Sequence, residues 1–202
     1  MNSLTIRYPN GQAFSYNRKE RPTKVNYRNR GMSLEEDINL TNQQYLTSNK
    51  AVIHKKPIPI QVVKVDYPKR SAAKITEAYY QQSSTTDYNG VYKGYYLDFE
   101  AKETKNKTSF PLSNFHNHQI EHMRKSSDHG GICFTIVRFS TLDKLYILHS
   151  DFLLEWWDQQ FLPTGRKSIP LKAIQEKTIA LKYGFNPRIP YLEAIDDWLM
   201  TE

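Results

Sequence analysis

The sequence has a single cysteine and no long apolar segment. Cys133 cannot form an internal disulfide, so no disulfide framework holds the chain together. No run of about 18 apolar residues occurs, and the first residues are polar and basic without an apolar signal-peptide segment. We therefore expect a cytoplasmic protein with neither a membrane span nor a secretory signal. A chain of 202 residues fits one globular domain.

Several familiar catalytic signatures are also missing. The sequence contains no glycine-rich phosphate loop of the P-loop or Rossmann type and no local Ser-His-Asp or Cys-His hydrolase signature. His118 and His122 have the i, i+4 spacing of zinc ligands on a helix, but a third histidine or cysteine in motif spacing is lacking. Zinc binding therefore remains a minor alternative.

Positive charge is concentrated in two blocks of a chain whose net charge is +7. Residues 1–30 carry seven Lys or Arg against one Glu, and residues 50–74 carry seven against one Asp. Residues 31–49 hold three acids and no base, and residues 75–202 hold 14 bases against 16 acids. Basic blocks beside an acidic segment indicate a protein that binds a polyanion and performs metal chemistry on it, with ordinary solubility charge as the alternative.

The apolar pattern predicts a mixed α/β fold, with strands in the middle of the chain and helices on both sides. Residues 1–30 lack apolar periodicity and are expected to form a flexible basic arm. Ser33 and Glu36 form a capping box that begins a helix, and a role for Glu36 in the site stays open. The expected helices are 33–47, 71–82, 113–125, one containing Trp156 and Trp157, and 191–200; the expected strands are 51–54, 60–65, 131–138 and 142–148.

The candidate chemistry lies in a stretch whose residues alternate in polarity from Leu97 to Lys102. In a β-strand this alternation places Asp98, Glu100 and Lys102 on one face. Two carboxylates and an ammonium group are unfavourable in an apolar core. They suit a divalent metal site with a cation beside it.

Asp87 is the expected partner of this strand. The Asn89-Gly90 pair predicts a hairpin turn that brings Asp87 back toward Glu100 and Lys102. Carboxylate oxygens suit magnesium, which polarises a phosphoryl oxygen and lowers the pKa of an attacking water. A nearby lysine orients the water and offsets developing charge. The pattern predicts a phosphodiesterase with Asp87, Glu100 and Lys102 as catalytic residues.

Six short runs are typical of one known family. They are residues 29–32, 53–57, 67–73, 83–90, 98–104 and 115–119. Together they resemble RecU, the Holliday-junction resolvase family of Gram-positive bacteria, over about residues 4 to 200. The run from Asp98 to Thr104, reading DFEAKET, is the most specific of them.

The resemblance implies a restriction-endonuclease-like core of the PD-(D/E)XK nuclease superfamily and a homodimer. It implies Mg²⁺-dependent symmetric nicking of four-way DNA junctions in recombination and repair, with Mn²⁺ as a substitute cofactor. A RecA-type recombinase and a branch-migration helicase are the implied partners. The family's metal ligands fall on Thr85, Asp87, Glu100 and Gln119, and its transition-state-stabilising lysine falls on Lys102. Thr86 replaces the superfamily's proline, and Asp98 receives no role as a ligand.

The resemblance also implies a protruding stalk, inserted at about residues 57–82 in a nuclease domain of residues 31–202. Two stalks in a dimer would enter the open centre of a junction. The expected DNA contacts are Arg30, Lys56, Lys69, Arg70, Lys74 and Tyr80. A non-catalytic DNA-binding protein that modulates a RecA-type recombinase is the alternative, but a pure binder has no reason to face a polyanion with carboxylates.

Overall fold

A six-stranded mixed β-sheet forms the centre of the protein. The structure, a computed structural model, describes residues 33–81 and 84–200. The predicted arm, with Arg30, lies outside these residues. The helices are α1 (Leu34–Thr47), α2 (Asn117–Asp128), α3 (Ser150–Gln159), α4 (Leu171–Lys177) and α5 (Tyr191–Leu199). The strands are β1 (Val52–Lys55), β2 (Ile60–Asp66), β3 (Lys74–Tyr80), β4 (Tyr88–Tyr92), β5 (Tyr95–Thr104), β6 (Ser109–Pro111), β7 (Ile132–Phe139), β8 (Lys144–His149), β9 (Ser168–Pro170) and β10 (Ile179–Leu181).

The central sheet has the strand order β1-β4-β5-β7-β8-β10. The β5 and β7 strands run parallel, and the other neighbours are antiparallel. Short strands β6 and β9 form a separate two-stranded sheet. Within the described part of the chain, none of the helices combines the length and apolar character needed to cross a membrane.

Helices cover both faces of this sheet, which confirms the predicted fold class. One apolar cluster joins α1 and α5 to the sheet and includes Ile38, Phe99 and Ile195. The second cluster, on the opposite face, joins α2, α3 and α4 to the sheet and includes Met123 and Leu153. Because side chains alternate along each strand, the central strands contribute to both clusters. The polar residues of β5 therefore point to the face that α2 covers.

The capping box at the start of α1 forms as predicted. The Ser33 hydroxyl accepts a hydrogen bond from the Glu36 amide at 3.2 Å, and the Glu36 carboxylate accepts from the Ser33 amide at 2.7 Å. The Glu103 carboxylate also accepts from the Leu34 amide at 2.5 Å. Since Glu103 follows Lys102 by one position, this contact fixes the first turn of α1 beside the end of β5.

The predicted helix at 71–82 is wrong, because this segment contains β3. It pairs with β2 as an antiparallel hairpin, from Ile60 opposite Tyr80 to Asp66 opposite Lys74. Every residue of both strands is exposed. A helix gains most of its stability by packing an apolar face on a core, and none is available here. Backbone pairing with β2 is available and suits the β-branched and aromatic residues of β3.

The helix predicted at 113–125 begins later than expected. Residues Leu112–Asn114 form a single 3₁₀ turn, and α2 begins at Asn117 after the cap residue His116. The His116 amide donates to the Gln119 side chain at 3.1 Å, which places the helix start at this point. The strands predicted at 51–54, 60–65, 131–138 and 142–148 are all present, within one or two residues at their ends.

Candidate active site

A tight turn places Asp87 beside Glu100. The predicted turn at Asn89-Gly90 is wrong, since both residues lie within β4. The chain instead reverses at Lys93 and Gly94, whose φ angles of 50° and 86° suit a two-residue hairpin turn. A side chain at position 90 would lie 2.1 Å from the Val52 carbonyl oxygen, so this glycine permits the close approach of β1.

The register of the hairpin explains the spacing of the two carboxylates. Tyr88 pairs with Phe99 and Asn89 with Asp98, so continuing the register by one residue sets Asp87 opposite Glu100. The Asp87 amide donates a hydrogen bond to Glu100 Oε2 at 3.2 Å. The sequence therefore correctly predicted that these residues meet, although it located the turn wrongly.

Glu100 is a fully buried carboxylate with an unsatisfied oxygen. Its Oε1 atom accepts no hydrogen bond from any described residue. The Lys102 ammonium lies 3.1 Å from this oxygen, but without hydrogen-bond geometry. Burial, reinforced by the nearby Asp87 and opposed by the charge of Lys102, raises the pKa of the Glu100 carboxyl to about 8. A buried carboxylate in this setting favours a bound cation or a proton.

The Lys102 side chain lies at the edge of the site and is 18% exposed. Its ammonium is 6.0 Å from the centre of the Phe115 ring, on the segment that precedes α2. The rings of His116 and His118 stack at 5.4 Å. Burial lowers the pKa of His118, with further lowering by His116 and Lys102. The start of α2 therefore lies beside the candidate catalytic lysine.

The two residues assigned as ligands by resemblance alone lie on different segments, Thr85 before β4 and Gln119 in α2. Thr85 lies two residues before Asp87, and its hydroxyl donates to the Thr86 carbonyl oxygen at 3.2 Å. Gln119 is buried in the first turn of α2, which packs against β5 and β7. Its Oε1 accepts from the His116 amide. Each residue therefore has a neutral side-chain oxygen, and in this structure that oxygen hydrogen-bonds to a neighbouring backbone group.

These donors fit a hard divalent cation. Mg²⁺ prefers oxygen ligands and is commonly held by one or two carboxylates. The unsatisfied Oε1 of Glu100 provides a buried negative charge for such an ion. Among the described residues, no group of three or more His, Cys, Asp or Glu side chains is arranged to hold a metal ion. Asp87 and Glu100 are thus the two carboxylates that the structure brings together at this site.

Asp98 lies on the same face of β5 but in a different environment. It is fully buried and accepts hydrogen bonds from the Thr86 hydroxyl, the Lys56 ammonium at 2.9 Å and the Tyr96 hydroxyl at 2.8 Å. The His122 Nε2 atom lies 3.1 Å from the same carboxylate. Burial acts to raise the pKa of Asp98, but these hydrogen bonds outweigh it and lower the pKa below its usual value.

Sequence reasoning missed the partners of Asp98. The alternating pattern placed this carboxylate on the face of the site, but Lys56 and His122 are 42 and 24 positions away in the chain. The sequence left two structural roles open for Asp98, holding Lys102 or holding the neighbouring hairpin. Its contacts with Thr86 and Tyr96 secure the β4–β5 hairpin and so support the second role.

The predicted DNA contacts fall in two places. Lys69, Lys74 and Tyr80 are exposed on the β2–β3 hairpin, with 83% of Tyr80 accessible. The backbone of Arg70 lies in the short helical turn between the two strands. Lys56 lies at the base of this hairpin, where its side chain is only 19% exposed and pairs with Asp98. The structure thus separates Lys56 from the exposed basic residues.

The sequence comparisons with known proteins all indicate the same family. A model of the family RecU, Recombination protein U, matches residues 29–197. The Holliday junction resolvase RecU of Lactiplantibacillus plantarum is 60% identical over 96% of this chain and 95% of its own length. The chain belongs to the RecU family. The RecU proteins of Ligilactobacillus salivarius and Geobacillus kaustophilus, also named Holliday junction resolvases, are 56% and 53% identical, over 96% and 98% of this chain and 97% and 100% of their own lengths.

Among solved structures, this chain resembles Hjc, a Holliday junction resolvase of Archaeoglobus fulgidus. The match covers 71% of this chain and 94% of Hjc, with 8% sequence identity and a TM-score of 0.38. A similarity of this size carries no argument about the site. The family assignment rests on the sequence matches.

Proposed function

We propose that this chain is a structure-selective endonuclease that resolves Holliday junctions by symmetric paired nicks. The observation that carries the proposal is the contact of Asp87 and Lys102 with the buried, unsatisfied carboxylate of Glu100. This arrangement supplies the anionic ligands and the cation that phosphodiester hydrolysis requires. Membership of a family whose relatives are named Holliday junction resolvases supports the choice of substrate.

Each side chain of the site has a distinct role in the proposal. Nucleases of this family generally use divalent metal ions. In the proposal, Mg²⁺ or its substitute Mn²⁺ is held by oxygen atoms of Asp87, Glu100, Thr85 and Gln119. When bound by these residues, such an ion would polarise a phosphoryl oxygen and lower the pKa of the attacking water. The Lys102 ammonium orients the water and offsets negative charge that develops on the phosphate.

The β2–β3 hairpin is the proposed junction-binding element. Its Lys69, Lys74 and Tyr80 side chains are exposed, as phosphate contacts and base stacking require. Arg70 and Arg30 are further proposed DNA contacts. In a homodimer, two hairpins and two active sites match the near two-fold symmetry of a four-way junction. A cytoplasmic location and contacts with a RecA-type recombinase and a branch-migration helicase complete the proposal.

Replacing Glu100 with glutamine tests the catalytic assignment. Glu100→Gln removes the buried charge and one ligand oxygen while keeping the side-chain shape. We expect it to bind a synthetic four-way junction as the wild type does and to nick it at least about 100-fold more slowly in Mg²⁺. Lys102→Ala should lose nicking to a similar extent. Gel assays of binding and cleavage on the same labelled junction measure both effects.

Glu155→Gln is the matched control, because Glu155 is an exposed carboxylate on α3. It should cut at the wild-type rate. Undiminished Mg²⁺-dependent cleavage by Glu100→Gln would show that the active site lies elsewhere. A wild-type protein that binds the junction but leaves every strand intact with and without Mg²⁺ would instead favour the non-catalytic accessory protein.

A further inference from the structure

Asp98 and Glu100 differ in the number of hydrogen bonds that their carboxylate oxygens accept. Both carboxylates are fully buried on one face of β5, two positions apart. Glu100 has an oxygen that accepts no hydrogen bond from the described residues. Both oxygens of Asp98 are engaged, Oδ1 by Thr86 and Oδ2 by Lys56, Tyr96 and His122. The Asp98 carboxylate is therefore already paired with protein donors, which favours an indirect contribution to the site.

The Thr86 hydroxyl joins Asp98 to the residues that are proposed to hold the metal. Thr86 lies between Thr85 and Asp87, and its hydroxyl donates to Asp98 Oδ1. The same hydroxyl oxygen accepts from the Lys56 ammonium at 3.1 Å. The ammonium in turn donates to Asp98 Oδ2 at 2.9 Å. The three side chains thus form a closed triangle of hydrogen bonds, which we call the Asp98 triad (Lys56, Thr86 and Asp98).

Lys56 also holds the backbone of Asp87. The Lys56 amide donates to the Asp87 carbonyl oxygen at 2.7 Å, one residue beyond the end of β1. Its amide and its ammonium therefore contact two consecutive residues, Asp87 and Thr86. This arrangement fixes both the position and the rotation of the segment from Thr85 to Asp87. That segment has no regular secondary structure before β4 begins, so side-chain contacts must orient it.

The geometry points to Asp98 as a positioning residue that sets the affinity of the site for its divalent ion. Through Thr86 and Lys56, it holds in place the segment that carries Thr85 and Asp87, the residues that would hold the ion together with Glu100. This inference rests on the proposed function of Glu100 and Asp87. Partners in the layer behind the ligands commonly change metal affinity by about 10- to 100-fold when they are altered.

Asp98→Asn and Thr86→Val test the inference by metal binding. Asparagine keeps the shape of Asp98 but loses the charge that holds Lys56, and valine replaces the Thr86 hydroxyl with a methyl group. Titration calorimetry with Mn²⁺ on DNA-free protein should show affinity weakened about 10-fold in each variant. The Mn²⁺ concentration for half-maximal junction cleavage should rise by a similar factor. At saturating Mn²⁺, kcat should stay within about 3-fold of the wild type, because no catalytic group is removed.

Two matched controls isolate the positioning role. Thr86→Ser keeps the hydroxyl and should retain wild-type metal affinity. Asp158→Asn removes an exposed carboxylate that pairs with Arg124 at 2.7 Å, and it should also leave metal affinity unchanged. In the double variant of Asp98→Asn and Thr86→Val, the losses should not add, because both changes break the same triad.

The outcomes separate this inference from the proposed function. If Asp98→Asn and Thr86→Val lower the melting temperature but bind Mn²⁺ as tightly as the wild type, the triad is only structural and the inference fails. If saturating Mn²⁺ does not restore kcat in Asp98→Asn, the carboxylate acts in catalysis directly and the inference also fails. Cleavage by Glu100→Gln at the wild-type rate contradicts the proposed function itself, whatever the Asp98 variants do.

Discussion

At the scale of single residues, the environments of Asp98 and Glu100 shift the pKa values of these two carboxyl groups in opposite directions. Asp98 and Glu100 have the same sheet face and the same burial. Hydrogen bonds from Lys56 and three other side chains lower the pKa of Asp98. At Glu100, burial and the nearby Asp87 outweigh the Lys102 ammonium, so the pKa of this carboxyl is raised. A charged Asp98 can hold its neighbours, whereas Glu100 favours a partner of opposite charge.

Metal-free protein should lose stability as pH rises because of Glu100. Its pKa of about 8 exceeds the usual glutamate value of 4.5, so between these pH values the folded state holds a proton that the unfolded state releases. This contribution to stability is complete below the unfolded pKa and is lost as pH rises toward the folded pKa. The loss is at most about 1.4 kcal/mol per pH unit. Glu100→Gln lacks it, so the variant should gain stability over the wild type from pH 5 to pH 8.

Urea unfolding in EDTA at several pH values measures this difference. Adding Mg²⁺ at pH 8 should stabilise the wild type more than Glu100→Gln, since only the wild type keeps both carboxylates. Stability curves for the two proteins that run parallel from pH 5 to pH 8 would mean that Glu100 is ionised without a metal. The exposed Glu155→Gln variant should track the wild type throughout.

At the scale of elements, the β2–β3 hairpin extends from two adjacent strands of the central sheet. The chain leaves the sheet after β1 and returns at β4, and these strands pair with each other. The Gln81 amide donates to the Pro59 carbonyl oxygen at 3.0 Å, which closes the base of the hairpin. Lys56 lies just inside this base and contacts Thr86 and Asp87. The proposed DNA-binding element is therefore connected directly to the proposed metal ligands.

Changes on the hairpin should weaken junction binding without removing the cleavage chemistry. Tyr80→Ala deletes a side chain that is 83% exposed. If Tyr80 stacks on a base, its loss should cost about 1–3 kcal/mol, or roughly 5- to 150-fold in affinity. Lys74→Gln should weaken binding and lower the salt dependence of affinity by about one phosphate contact. Fluorescence anisotropy with a labelled junction at several salt concentrations measures both.

Phe185→Ala is the control for the aromatic change, because Phe185 is 96% exposed but lies outside the hairpin. It should bind the junction with wild-type affinity. Unchanged binding by Tyr80→Ala and Lys74→Gln together would remove the hairpin from the recognition surface. At saturating protein, Tyr80→Ala should still cleave, because the Asp87–Glu100–Lys102 site is intact.

At the scale of the whole molecule, paired nicks require two active sites. The described chain brings together one set of Asp87, Glu100 and Lys102. The proposed homodimer would supply a second set, related by a two-fold axis. Resolution of a junction without a dimer would require one site to act twice on the same substrate. In this proposal, assembly decides whether the product is a nicked or a resolved junction.

A mixed dimer with one Glu100→Gln subunit should nick but not resolve. Two affinity tags allow purification of this species from co-expressed subunits. On a plasmid with an extruded cruciform, the wild-type dimer should produce linear DNA, and the mixed dimer should produce nicked circles. A doubly tagged dimer of wild-type subunits is the control. Linear product from the mixed dimer at the wild-type rate, or a monomer in sedimentation of the active protein, would contradict this assembly.

The sequence predicted those features that depend on local pattern. The two-residue alternation of β5 placed Asp98, Glu100 and Lys102 on one face, and the capping box located the start of α1. These signals succeed because strand alternation and helix capping act over a few residues. The prediction of a helix at 71–82 was wrong. The alanines of this segment suggested a helix, but the segment has no core to pack against and pairs with β2 instead.

The sequence by itself determined the face of the strand, the charge of the two blocks and the meeting of Asp87 with Glu100. Only the tertiary structure decided that both oxygens of Asp98 accept hydrogen bonds, whereas Oε1 of Glu100 accepts none from the described residues. Asp98 receives its partners from positions 12, 24 and 42 residues away, and no local period encodes such contacts. Burial and distant hydrogen bonds together set the ionisation of a carboxylate, and folding alone supplies both.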